Sequence, residues 1–172
     1  MQQTLLAMLA LLITTFLHFN FMQTQVRDDN QIYRAEMEEM ATGIAMQTME
    51  VVRARAFDAA TAGVPGDSVV DVSNFTSSFT TGNHCKAFGG SDRCNDVDDF
   101  HEMEPIISSF ETPDIRIDFR VEIEVQYLDS SLQPSASPTN RKEVTILVQD
   151  VHNSQPSFLR EPIQFTETLT YM

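Results

Sequence analysis

From Leu5 to Met22 the chain carries no Asp, Glu, Lys or Arg, and its apolar side chains would fall on every face of a helix. These 18 residues would span about 27 Å as a helix, close to the ~30 Å hydrocarbon core of a bilayer. Thr4, Thr14 and Thr15 suit such a segment, because their hydroxyls can bond back to carbonyls one turn earlier. His18 and Asn20 cost more in lipid and fall near the end of the run, where the interface would be. Beyond it, Tyr33, Met37, Met40, Ile44, Thr48 and Val51 recur at spacings of three and four, and Asp28, Asp29, Arg34, Glu38, Glu39 and Arg53 take the other face. Residues 23–60 contain no Pro and a single Gly, Gly43, whereas Gly63, Pro65 and Gly66 predict a stop near 60–63. The pattern therefore predicts one helix of about sixty residues, apolar all round over 1–22 and amphipathic over 23–62. The methionines on its second half, Met37, Met40, Met46 and Met49, read as adaptable packing rather than a cofactor box.

Residues 63–114 show no clear period and read as an irregular loop region. After Pro113 the period becomes two. Ile115, Ile117, Phe119, Val121, Ile123, Val125 and Tyr127 share one face, and Arg116, Asp118, Arg120, Glu122, Glu124 and Gln126 the other. Residues 141–151, with Val144, Ile146 and Val148 facing in, and 162–172, with Ile163, Phe165, Leu169 and Tyr171, predict two further strands. A helix stripe and a one-sided sheet each need a cover, and the economical solution is that they cover each other. The predicted class is α+β: a long N-terminal α-helix packed by its second half on an antiparallel sheet of three to four strands, with 23–62 and 63–172 forming the head.

Charge narrows the partners. The chain has 25 acidic and 11 basic residues and a formal charge of −14, which excludes nucleic acid binding through a basic patch. No Lys or Arg precedes Arg27 and no A-x-A-like site follows the apolar run, which argues against a cleaved secretory signal. Cys85 and Cys94 are the two cysteines, and outside the cytoplasm a disulfide between them is the default reading. It would close a loop that reverses at Gly89-Gly90. Asp96, Asp98, Asp99 and Glu102 offer carboxylates for a hard cation such as Ca²⁺, although the EF-hand spacing is not completed; the alternative is a solvated acidic turn capping a short helix. Asn74-Phe75-Thr76 is an N-glycosylation sequon. His84 beside Cys85 and His101 beside Glu102 would be the pairs to suspect in an enzyme. G-x-S-x-G, H-E-x-x-H and phosphate-cradling glycine motifs are missing, however, and no catalytic residue is assigned.

Helix, apolar half, amphipathic half, sheet and stapled loop together resemble a type IV pilin or pseudopilin, and NDVDDF (95–100) resembles an Asp-rich stretch of some minor pilins. The resemblance implies a structural subunit, held in the inner membrane before assembly and then incorporated into a cell-surface filament by a pilus assembly machinery. Adhesion or motility would be its roles. It implies a helical homopolymer whose core is built from Met1, Leu5, Leu9, Leu12, Ile13, Phe16 and Phe19. The family usually carries a glutamate at the fifth mature position, where this chain has Leu5, and no leader is visible before Met1. Numbering from a processed end and an atypical leaderless member both fit. The alternatives to a bulk filament subunit are a single-pass anchored binding domain outside the cytoplasm and a minor or tip pseudopilin.

Overall fold

A computed structural model describes residues 2–64, 69–77, 79, 84–111, 116–151 and 158–172. The chain divides into two compact units, Met1–Glu38 and Glu39–Met172, and helix α1 (Gln2–Arg53) runs through both. In the first unit several polar side chains bond within the helix. Thr14 Oγ1 donates to the carbonyls of Ala10 and Leu11 at 3.0 Å, Thr15 Oγ1 to Leu11, and Asn20 Nδ2 to Phe16 at 2.9 Å. Such back-bonding leaves no hydroxyl or amide demanding water inside an apolar segment.

The second unit is built on a five-stranded antiparallel sheet. Strands β1 (Ile106–Glu111), β2 (Arg116–Leu128), β4 (Arg141–Asp150) and β5 (Ile163–Thr170) lie in the order β1-β2-β4-β5, and the two-residue β3 (Pro134–Ser135) pairs with the end of β2. Strand β2 realises the period-two pattern: Ile117, Phe119, Val121, Ile123, Val125 and Tyr127 are all buried. The register sets Val121 opposite Val148, Ile123 opposite Ile146 and Val125 opposite Val144, so the inward side chains of β2 and β4 form adjoining rows. Helix α1 packs its residues after Glu39 on this sheet through Ala41, Ala45, Thr48, Met49 and Val52, and Arg53 reaches Glu167 of β5 at 3.4 Å.

Three features differ from the sequence expectation. Met37 and Thr48 of the expected stripe are buried, but the buried helix face is centred on Ala41, Ala45 and Met49, whereas Met40, Ile44 and Val51 are half-buried at its margin and Met46 and Tyr33 are exposed. Hydrophobicity alone marked the larger side chains, but alanines let a helix sit close to a sheet already filled by Phe119 and Ile146. The helix ends at Arg53, short of the expected 60–63. Residues 54–61 are good helix formers, yet their backbone is drawn into tertiary contacts: Val97 N–H donates to Ala56 O at 3.0 Å and Ala56 N–H to Asn95 O at 3.2 Å. Finally, β1 lies in the region expected to be irregular, and β3 in the Ser- and Pro-rich segment 129–140 that follows the first predicted strand. β1 shows no alternation because only Ile106 of its six residues is buried, as befits an edge strand. Ile115 lies outside the described residues.

The Ala face sets a testable expectation. Ala45→Leu forces extra volume into a filled layer and should destabilise the head by about 1–3 kcal/mol, whereas Ile44→Ala at the margin should cost less. Urea unfolding of both variants, followed by circular dichroism, checks the order; a larger loss for Ile44→Ala would place the interface on the other stripe.

Candidate functional site

Two features of the structure invite a functional reading. The first is the uncovered apolar helix of the N-terminal unit. Leu5, Leu9, Leu12, Ile13, Phe16 and Phe19 are all exposed, at 50–70 % of their full accessible area. Leu6, Met8, Leu11, Leu17, Phe21 and Met22 are exposed as well, so no face of this helix is polar. Gln3–Arg53 is a helix long and apolar enough to cross a membrane, by length and composition. Met1 lies outside the described residues. A contiguous apolar surface of this size marks a membrane or protein contact.

The second feature is a buried ionic cluster in the head. Lys142 is in phase with Val144, Ile146 and Val148 on β4 and pairs opposite Tyr127, so strand alternation carries a lysine onto the core face. Its ammonium, fully buried, lies 3.2 Å from Asp58 Oδ2 and 2.5 Å from Asp98 Oδ1, and donates to the carbonyl of Phe57 at 2.6 Å. The rings of Phe57 and Tyr127 sit 4.5 and 4.8 Å from Nζ. Asp58 caps the short 3₁₀ helix Ala59–Thr61, accepting from Ala60 N–H at 3.0 Å. It also accepts from Thr76 N–H at 3.1 Å and from the Tyr127 hydroxyl at 2.8 Å. Both Asp98 oxygens are buried without a hydrogen bond of ordinary geometry, and the Lys142 contact is closer than charge-assisted pairs usually sit.

The two acids are pushed in opposite directions. Burial alone would raise Asp58, but the bonds from Ala60 and Tyr127, the charge of Lys142 and the Thr76 N–H outweigh it and hold the carboxyl at about 2. For Asp98 burial dominates over the attraction of Lys142, and the neighbouring Asp58 adds to it, so the carboxyl is pushed up to about 7. Burial and Asp99 also raise Asp96. Burial and the donated bond to Asp58 raise the Tyr127 phenol. Holding Asp58 ionised while biasing Asp98 toward its neutral acid lowers the net charge around the Lys142 ammonium, the direction a low-dielectric interior favours.

The four carboxylates considered for a cation are not brought together. Asp98 faces Lys142, Asp96 Oδ1 accepts from Asp98 N–H at 2.9 Å, Asp99 Oδ2 accepts from Asn95 N–H at 2.8 Å, and Glu102 is exposed with φ +46°. Among the described residues no three His, Cys, Asp or Glu gather as a metal would require. The Asp-rich segment instead forms the turn Asp98–Phe100, whose Phe100 is fully buried. Cys85 and Cys94 are disulfide-bonded. Gly89 takes φ +84°, and a Cβ on Gly90 would stand 1.8 Å from the His84 carbonyl oxygen, so the loop requires glycine there. Asn74 is exposed while Thr76 of the same sequon is engaged with Asp58. His84 Nε2 lies 3.0 Å from Pro105 O, and His101 Nδ1 accepts from Val125 N–H at 3.2 Å.

Sequence reasoning placed Asp98 in the wrong company and missed Asp58 and Lys142. The signal for Lys142 was its phase: it shares the parity of Val144. Asp58 had no such signal, because its partners lie at Thr76, Tyr127 and Lys142, distant along the chain.

No protein family, curated protein or solved structure matches this chain.

Two outcomes test the site. Because the Asp58 carboxyl is depressed from 3.8 to about 2, the stability it confers is complete above its unfolded value and is lost as pH falls through the folded one. Asp58→Asn, which removes the more strongly ionised of the two carboxylates facing Lys142, should cost about 3–5 kcal/mol at neutral pH, and urea midpoints of wild type and variant should draw closer as pH falls toward 2. Gly90→Ala should lower the thermal midpoint of the oxidised protein through the clash with His84; an unchanged midpoint would show that the loop can shift aside.

Proposed function

We propose that this chain is a pilin-like structural subunit, held in a membrane by its apolar N-terminal helix and assembled into a surface filament by bundling of those helices. One observation carries the reading: a helix exposing apolar side chains on every face is continuous with the first element of a folded, acidic head. In water each uncovered Leu or Phe costs roughly 1.5–3 kcal/mol relative to burial, so the segment requires either lipid or other apolar helices. Lipid serves before assembly and neighbouring copies afterwards. Repeated heterologous contacts between identical subunits generate a helical polymer rather than a closed ring.

The head supports this in two ways. All 25 acidic residues lie from Asp28 onward, so copies packed through residues 1–22 would place no carboxylate in the apolar core. The sheet, the helix packed on it and the disulfide give a rigid body that can be repeated without remodelling. Register in such a bundle would rest on apolar packing of Leu5, Leu9, Leu12 and Phe16.

Electron microscopy of material sheared from producing cells, with mass spectrometry of the same fraction, tests the proposal. This chain should be a main component of thin filaments. Recovery from the membrane fraction alone would overturn the filament reading in favour of an anchored head domain.

A further inference from the structure

The buried cluster holds the reactants of a covalent reaction, a matter separate from filament assembly. A primary amine, a carboxylic acid and a second carboxylate meet in a pocket that water does not reach. Nζ of Lys142 lies 2.5 Å from Asp98 Oδ1 and 3.2 Å from Asp58 Oδ2, and the side chains of Lys142 and Asp58 are fully buried. The arginine side chains of the pairs Arg53–Glu50, Arg116–Asp118 and Arg120–Glu122 are by contrast solvent-exposed.

We infer that Lys142 and Asp98 condense into an intramolecular amide, which joins β4 to the Asp98–Phe100 turn, and that Asp58 moves the protons. The geometry is that of an intramolecular reaction already at contact distance, where proximity replaces the entropy of bringing amine and acid together. Lysine amines become nucleophiles when desolvated, and here Phe57 and Tyr127 supply two of the walls. Burial biases Asp98 toward its neutral acid far more than an ordinary carboxyl, and in that form its Cγ lacks the negative charge that would repel an attacking amine.

The step balances without a cofactor. Asp58 takes one proton from the Lys142 ammonium, leaving a free amine. The amine lone pair forms the C–N bond to Cγ of Asp98, and the Cγ–OH bond breaks. That hydroxyl leaves with a second amine proton as one molecule of water. The amide keeps one N–H, Asp58 ends protonated, and nothing is oxidised or reduced. Asp58 can act in this way because Ala60, Thr76 and Tyr127 fix its orientation rather than its reacting partner doing so. The product would tie together segments more than forty residues apart, beside the disulfide that closes 85–94. A subunit under tensile load would gain from a cross-link that neither reductant nor heat-induced unfolding releases.

Intact mass of the purified full-length protein, denatured and with its disulfide reduced, decides the matter. The expected mass is one water below that of the sequence, with a branched peptide on digestion that joins the segment holding Asp98 to the segment holding Lys142. Lys142→Arg and Asp98→Ala should each restore the full mass. Asp58→Ala should restore it in part or whole although both reacting residues remain. A wild-type protein of full sequence mass whose Lys142 labels with an amine reagent after denaturation would overturn the inference. So would a one-water deficit mapped to another position, such as a cyclised aspartate, or a branch from Lys142 to Asp58.

Discussion

The head of this protein depends on a charge that has no water to turn to. Lys142 enters the core because β4 alternates, and its ammonium can be tolerated there only if anions and carbonyls come to it. Asp58, Asp98 and the Phe57 carbonyl do so from two separate segments, one following α1 and one following the disulfide loop. Much of the irregular region can be understood as the consequence. The helix stops at Arg53 so that residues 56–58 can turn inward, Asp58 caps the next short helix while facing Lys142, and Thr76 and Tyr127 close on the same carboxylate. A long stretch with few apolar residues is thereby ordered by polar contacts around one lysine, aided by the disulfide and by Phe75 and Phe100.

The N-terminal unit follows the opposite logic. Over residues 5–22 its apolar side chains are exposed, and Thr14, Thr15 and Asn20 bond back to the helix's own carbonyls. Its chemistry is uniform, whereas that of the head is specific. The head carries a strongly acidic exterior, and charge of one sign discourages indiscriminate association.

What could be read in advance followed from periodicity. Eighteen uncharged residues from Leu5 to Met22, a 3.6-residue stripe and a strict alternation from Ile117 to Tyr127 each depend on neighbours along the chain, and so determined the long helix, the antiparallel sheet and the α+β class. The close cysteine pair and Gly89-Gly90 likewise announced a stapled turn. Tertiary structure decided the rest. It chose the alanine face of α1 over the bulkier stripe, because the space above a filled sheet, not hydrophobicity, limits which side chains fit. It also ended the helix early, recruited the edge strand β1 by backbone pairing alone, and set Asp98 of the acidic run against a buried lysine. These outcomes rest on contacts between residues such as Asp58 and Lys142, 84 positions apart, whose meeting no local pattern encodes.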